Sequence, residues 1–361
     1  MSADRPTVLV LYGGRSAEHE ISILSARFVV SALERYRPLL VAIGRDGRWH
    51  LQKELPEMKD PRDARIDENG KHVWLEPMPA RGLHVEGGEP MPFDVAFPVL
   101  HGPMGEDGTV QGLLELAGIP YVGSGVVASA LGMDKHMQKQ VLAQAGVPVV
   151  PFVALRRSEW REKPTETTSA CNALGYPLFV KPSNMGSSLG IRKVTEHFGL
   201  AGALEHAFGF DTRVIVERGL TGAREIEISI LGNDDPRASV AGEIVVEHPD
   251  GFYSYDAKYI DDGANLRVPA ALTDAERSRI ERTALAAYRA LDCAGMARVD
   301  MFLHDDRVYL NEVNTIPGFT SISMYPMLWR ASGIEAPELV HRLIELALER
   351  HKTRAALRTQ R

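Results

Sequence analysis

The sequence has almost no cysteine. Cys171 and Cys293 are the only two in 361 residues. They stand far apart and form no Cys-x-x-Cys, which argues against a disulfide framework and a cysteine zinc site and fits two reduced thiols in a cytosolic chain. Long apolar runs are also missing. No stretch reaches the roughly 18 apolar residues of a membrane span, and residues 8–12 are too short a run for the core of a secretory signal. Positive charge is in deficit. A net charge of −7 speaks against a nucleic-acid partner unless a local basic patch exists. The basic last eleven residues read as a solvated tail beyond a final helix. No G-x-x-x-x-G-K-[ST] occurs, so there is no Walker A loop. No internal repeat is visible.

What is present is ordinary for a soluble globular chain: 44% hydrophobic and 25% charged residues, enough for roughly two or three domains. Residues 7–12 form an apolar strand turned by Gly13-Gly14. Ser16 can cap a helix over 17–33 with Glu18 and Glu20 in its first turn, and 39–43 reads as the next parallel strand. Strand, glycine turn, helix is how a doubly wound α/β domain opens. Residues 45–92, rich in proline and charge, read as an irregular surface region outside the core. Residues 94–100 form a buried strand ending in His101-Gly-Pro-Met-Gly-Glu-Asp-Gly108, followed by a helix over 109–117 and a strand over 120–122. Loops at such strand ends are where ligands bind. Glu106 and Asp107 in this loop read as structural.

The composition shifts over 123–128, Gly-Ser-Gly-Val-Val-Ala, which reads as a domain boundary. The strand over 177–181 leads through Lys181 into a loop rich in glycine and serine, 182–190, and a strand over 191–194. That tip can place backbone N–H groups over phosphates, or simply turn the chain. A strand over 214–217 ends in an acid. Strict alternation over 224–231 reads as a half-buried strand, with another over 241–247. The polar segment 248–267 is too long for a plain connector, and its four aromatics favour an ordered lid. Thr273-Asp274 caps a helix to 291, and a last helix spans 336–349.

Between these helices, 298–303 and 307–314 form a hairpin around Asp305-Asp306. Arg298 and Asp300 share a face, as do Glu312 and Asn314. An odd turn or a bulge sets Asp300 opposite Glu312, whereas an even turn sets it opposite Asn311. Two carboxylates and an amide oxygen on one face are a hard-oxygen set suited to Mg²⁺ and, through it, to a nucleotide. Read alone, the same charges could simply face water.

Taken in order, Gly13-Gly-Arg-Ser-Ala-Glu-His-Glu-Ile-Ser22, the His101 loop, Met133-Asp-Lys135, Lys181-Pro-Ser-Asn-Met-Gly-Ser-Ser188, Asp256-Ala-Lys-Tyr259, Arg298-Val-Asp300 and Glu312-Val-Asn-Thr-Ile-Pro-Gly-Phe-Thr-Ser321 resemble the D-alanine–D-alanine ligases of the ATP-grasp superfamily. The likeness covers nearly the whole chain. It implies a doubly wound N-terminal domain over 1–124, then central (125–220) and C-terminal (221–361) α+β domains that sandwich ATP. It also implies a cytoplasmic homodimer that joins two D-alanines through an acyl phosphate for peptidoglycan precursors. Relatives making D-alanyl-D-lactate, and other ATP-grasp ligases, are the alternatives; a nucleotide-binding regulator that keeps the fold without turnover is an alternative of another class, against which the intact Lys181, Arg298, Asp300, Glu312 and Asn314 speak.

Carried over by residue, Lys135 and Lys181 bind ATP phosphates, Glu217 the adenosine, and Lys258 the transferred phosphate. Glu225 falls at a further nucleotide-binding acid, although its distance from Glu217 is one residue longer than the family pattern. Asp300, Glu312 and Asn314 hold two Mg²⁺ ions, with Mn²⁺ as a substitute. Glu18 pairs with the first D-alanine, with His101 nearby. Arg298 and the Gly318 N–H form an oxyanion hole. Ser187, Tyr259 and Glu18 close the lid. Ser323 and the Met324 backbone receive the second carboxylate.

Overall fold

Strand β1 (Thr7–Gly13) is buried along its whole length in the computed structural model, which describes residues 5–56, 63–79, 82–246 and 264–358. Alternation sends Val8, Val10 and Tyr12 to one face and Leu9 and Leu11 to the other. The first set shares a core with Ile23, Ala26 and Val29 of α1 (His19–Ser31) and with Leu339, Val340 and Leu343 of the C-terminal helix Ala336–Ala355. Around β1 the sheet adds β2 (Arg37–Ile43), β3 (Trp49–Gln52) and β6 (Val95–Val99), in the order β3-β2-β1-β6. β2 and β6 run parallel to β1, and β3 is an antiparallel edge. Leu9 and Leu11 join Val110 and Leu114 of α2 (Thr109–Leu116).

That second core corrects the reading of 45–92. A ribbon of β4 (Val73–Trp74) and β5 (His84–Val85) brings Val73, Leu75, Leu83 and Val85 into it. The proline and charge of this region hide four positions of this core, in runs too short for periodicity to reveal, and Ala64 joins the first core. Helix α1 also starts later than expected, because Ser16 does not cap it. Its hydroxyl accepts the Glu18 N–H at 3.1 Å and donates to the His101 carbonyl at 2.7 Å, tying the two strand-end loops together. The strand expected over 120–122 is only a bridge from Tyr121 to Ala96.

Helices α3 (Val126–Met133) and α4 (Lys135–Gln144) lead into the central unit. Its strands are β7 (Phe152–Arg156), β8 (Leu178–Pro182), β9 (Arg192–Val194) and β10 (Arg213–Arg218), in the order β7-β10-β8-β9 and all antiparallel. Helices α5 (Arg157–Glu162), α6 (Pro164–Asn172) and α7 (Leu200–Ala207) cover it, with Leu178, Val180, Leu204, Val214 and Val216 in its core.

The third sheet runs β13-β12-β11-β14-β15, from β11 (Arg224–Gly232), β12 (Arg237–Val246), β13 (Ala264–Arg267), β14 (Gly295–His304) and β15 (Arg307–Asn314). The end of the segment expected to be a lid is therefore a strand. Ile226, Ile228 and Ile230 of β11, with Val299 and Met301 of β14, pack against Ala284 and Tyr288 of α8 (Asp274–Ala290). Thr273 caps α8 through the Glu276 N–H. The other face of β11 is not solvated, as half-burial would require, since Glu227 and Ser229 are themselves buried. Helix α9 (Met324–Ala331) lies against β12, where Gly242 leaves room for the Met324 side chain.

The C-terminal helix, α10, runs six residues past the expected end. Arg350 and Arg354 in the extension are docked, not frayed. Arg350 lies over the Tyr121 ring, and Arg354 pairs with Glu115 at 2.8 Å. Among the described residues no helix is long and apolar enough to cross a membrane.

Candidate active site

The polar face of the third sheet looks into a cavity of about 350 Å³, lined also by the N-terminal and central units. Glu18, His101, Lys135, Lys181, Ser187, Glu217, Glu225, Arg298, Asp300, Glu312, Asn314 and Gly318 all line it, as does Glu106. Residues spread over 300 positions thus meet at one site.

Register builds its floor. Asp300 is opposite Glu312, Arg298 opposite Asn314, and Glu227 of β11 opposite Asp300 on the other side. Arg298 donates to both oxygens of Asp300, at 2.7 and 2.8 Å, and reaches Glu227 at 2.9 Å. The Asn314 amide is 3.0 Å from Asp300. Lys135 lies 3.4 Å from Glu312 and donates to the Met185 carbonyl at 2.6 Å. This donor set fits a hard divalent cation: two opposed carboxylates and an amide on one face, whose charge Arg298 and Lys135 balance here.

Above the floor, Glu217, one residue before the end of β10, has each carboxylate oxygen on a different ammonium, Lys139 at 2.9 Å and Lys181 at 2.6 Å. Burial alone would raise the Glu217 pKa, but the two lysines outweigh it and hold it at about 2. Burial pulls Lys139 below its ordinary range despite Glu217, whereas for Lys181 the carboxylate outweighs burial and the pKa rises.

The loop after β8 is anchored at its base. Ser183 donates to Asp134 at 2.7 Å, and Asp211 accepts from the Asn184 N–H at 2.8 Å. At its tip Ser187 and Ser188 take left-handed φ of 47° and 58°, and the Ser187 hydroxyl donates to Glu18.

His101 Nδ1 faces the Ile316 carbonyl at 3.2 Å. Since a carbonyl only accepts, Nδ1 carries the proton and Nε2 accepts from the Ser25 hydroxyl at 3.0 Å. Burial lowers the His101 pKa, which favours this neutral form. Ser25 in turn accepts the Phe319 N–H, so His101 and Ser25 pin the loop carrying Gly318 to the N-terminal unit.

Glu106 was expected to be structural. It does accept the Gly102 N–H at 3.1 Å, but it also faces the cavity, where burial and then the Glu18 charge push its pKa well up. Asp107 stays structural, bonding the Met104 and Thr109 N–H groups. Ser323 and Met324 sit behind the lining. Ser323 bonds Thr320, two residues after Gly318, and precedes α9, whose first turn no side chain caps. Lys258 and Tyr259, with most of the expected lid, lie outside the described residues.

Family models for the D-ala D-ala ligase N-terminus and C-terminus match residues 7–124 and 141–345. The chain belongs to the D-alanine–D-alanine ligase family. Its sequence is 46% identical to D-alanine–D-alanine ligase A of Escherichia coli, over 97% of this chain and 98% of that one. It is 45% identical to the D-alanine–D-alanine ligase of Heliobacterium modesticaldum, over 99% and 98%. Among solved structures it resembles the D-alanine-D-alanine ligase from Coxiella burnetii, with TM-score 0.82, 34% identity and 97% of both chains covered. It also resembles the VanG D-Ala:D-Ser ligase from Enterococcus faecalis, with TM-score 0.84, 35% identity, and 95% and 100% covered. The fold is that of an ATP-grasp ligase, as the motifs imply.

Around this cavity, sequence reading missed Lys139, Glu227 and Ser25. Each has a faint signal. Lys139 is four residues after Lys135, on the same helix face. Glu227 shares a strand face with Glu225. Ser25 faces inward on α1, three residues after the buried Ser22.

Proposed function

We propose that the chain uses ATP to join two D-alanines through D-alanyl phosphate, making the dipeptide of peptidoglycan precursors. One observation carries this reading: Glu18, at the mouth of the N-terminal sheet, closes on Ser187 beside the Lys135–Lys181 pair and the Asp300–Glu312 floor. An amino-acid pocket and a phosphate site are thereby fused, as acyl phosphate chemistry demands.

In this reading Glu18 takes the ammonium of the first D-alanine, with His101 ordering the wall behind it. The carboxylate of that D-alanine attacks the γ-phosphorus and ADP leaves. Lys135 and Lys181 hold the phosphates, Glu217 and Glu225 face the nucleoside end, and Lys258 meets the transferred group. Asp300, Glu312 and Asn314 would hold two Mg²⁺ or Mn²⁺ ions, which supply charge neutralisation of the phosphate chain. The second D-alanine binds by its carboxylate at Ser323 and the Met324 N–H, a helix start suited to an anion. Its amine, freed of a proton through the Glu18, Ser187 and Tyr259 set, attacks the acyl carbon. Arg298 and the Gly318 N–H face the developing oxyanion, and collapse expels phosphate.

The same reading makes the protein a homodimer in the cytoplasm and divides it at 124 and 220. Cys171 and Cys293 are free and buried, and burial pushes their thiols up to about 11 and about 12, leaving both inert near neutral pH.

The test offers ATP with D-alanine alone, then with D-serine or D-lactate added, and separates the products. D-alanine-dependent release of ADP and phosphate with D-alanyl-D-alanine as main product is expected. Predominant ester or D-alanyl-D-serine would move the chain to a different acceptor. ATP hydrolysis indifferent to D-alanine would overturn the ligase reading.

A further inference from the structure

Lys139 belongs to no motif and does not line the cavity, yet its side chain is only 1% exposed. A buried ammonium persists only where it is matched. Its Nζ lies 2.9 Å from Glu217 Oε1 and donates to the Asn311 carbonyl at 2.9 Å. Glu217 Oε2 is 2.6 Å from Lys181 Nζ, and Lys181 reaches Asn311 Oδ1 at 3.3 Å. Lys139, Glu217, Lys181 and Asn311 thus close a ring in the cavity wall, with the last three lining the cavity and Lys139 behind them.

The ring does two things. Two ammonium groups share one carboxylate, so the trio keeps a net charge of about +1 by simple valence counting. Without Lys139, Glu217 would neutralise Lys181 one to one, and a phosphate would meet a much weaker positive field. In addition, Asn311 is the residue skipped in the β14–β15 ladder, so the Lys139 bond to its carbonyl holds the backbone immediately before Glu312.

We propose that Lys139 is a positioning residue for the metal–nucleotide site, acting on Lys181 through Glu217 and on Glu312 through the Asn311 carbonyl, without touching a ligand. The proposal rests on the ligase reading for the identity of that ligand.

Lys139→Met removes charge and donor at similar length. Lys139→Gln removes the charge and keeps a donor for Asn311. ADP binding with Mn²⁺ is measured by calorimetry, Mn²⁺ affinity at saturating ADP by electron paramagnetic resonance, and the D-alanine KM by initial rates. Both variants should bind ADP at least about tenfold more weakly, the scale for removing one partner of a buried charge pair. The D-alanine KM should stay within about twofold, and Mn²⁺ affinity should recover in Lys139→Gln relative to Lys139→Met.

ADP affinity within twofold of the parent in a folded variant overturns the proposal. So does a parallel loss of ADP affinity and D-alanine KM that tracks a fall in melting temperature, which marks a core residue. Failure of both variants to fold overturns it for the same reason. A parent that binds ADP but makes no dipeptide overturns the ligase reading and leaves the Lys139 comparison intact. A parent that binds no ADP overturns both.

Discussion

Asp300 stands directly opposite Glu312 because Asn311 is bulged out of the β14–β15 ladder. The turn at Asp305-Asp306 has two residues with left-handed φ of 47° and 59°, the geometry of a tight hairpin. Counting back from it, His304 meets Arg307 and Met301 meets Leu310, so Asp300 would meet Asn311. One extra residue restores the carboxylate pair and re-aims the strand, a common use of bulges beside active sites.

That pair should be indispensable for turnover and not for folding. Asp300→Asn and Glu312→Gln each remove one charge at nearly constant shape. ADP release in the presence of D-alanine should fall by orders of magnitude in both, with far-UV circular dichroism unchanged. Near-parental rates at saturating Mg²⁺ would rule out this metal site.

Arg298 should have two separable effects. Removing one preorganised donor to an oxyanion typically costs about 10²–10³ in kcat. Its loss also strands Glu227 and Asp300, and breaking a buried pair costs roughly 3–5 kcal/mol. Arg298→Ala should therefore show both a lower kcat and a lower urea midpoint. Arg298→Lys keeps the charge but not the two-pronged contact, and should recover stability more fully than kcat. Equal recovery of both would make Arg298 a structural cation.

Glu217 makes an acid-dependent contribution to stability. Its pKa falls on folding from 4.5 to about 2, where the charges of Lys139 and Lys181 outweigh burial. The folded form therefore favours the carboxylate. The contribution is fully present above about pH 4.5 and is lost as pH falls through about 2. The stability advantage of the parent over Glu217→Gln should shrink across that window in urea titrations at stepped pH. A gap that stays constant from pH 5 to about 2 would contradict the ion-pair assignment.

Gly186 should govern the amino-acid pocket by size alone. A methyl group there would come within 2.5 Å of Glu18 Oε2, and the position lies outside the left-handed φ region. Gly186→Ala must displace either the Glu18 carboxylate or the loop. The D-alanine KM should rise by about tenfold or more, on the scale that small misplacements of positioning groups produce, while ADP affinity changes less than threefold. Initial-rate kinetics and ADP calorimetry give the comparison, and unchanged D-alanine kinetics would remove Glu18 from the pocket.

Local chemistry already determined much of this protein. The apolar run of β1 could only be a strand covered on both faces, and Thr273 with Glu276 set the start of α8. The motif residues named both the family and most of the cavity lining, because reactive side chains at fixed spacing are visible without coordinates.

Tertiary structure decided what depends on distant partners. Whether Asp300 meets Asn311 or Glu312 turned on a one-residue bulge, which side-chain alternation cannot detect since both registers read alike up to Met301. Ser16 bonds the His101 carbonyl and does not cap a helix, because a loop 85 positions away comes within reach. Four apolar residues of the 45–92 region became core only when the second face of β1 needed covering. Lys139 shares a helix face with Lys135 in the sequence, but its partners, Glu217 of β10 and the Asn311 carbonyl of β15, were set only when those strands closed around it. Burial and ion pairing between residues far apart in the chain are settled by packing, and packing does not exist until the chain is folded.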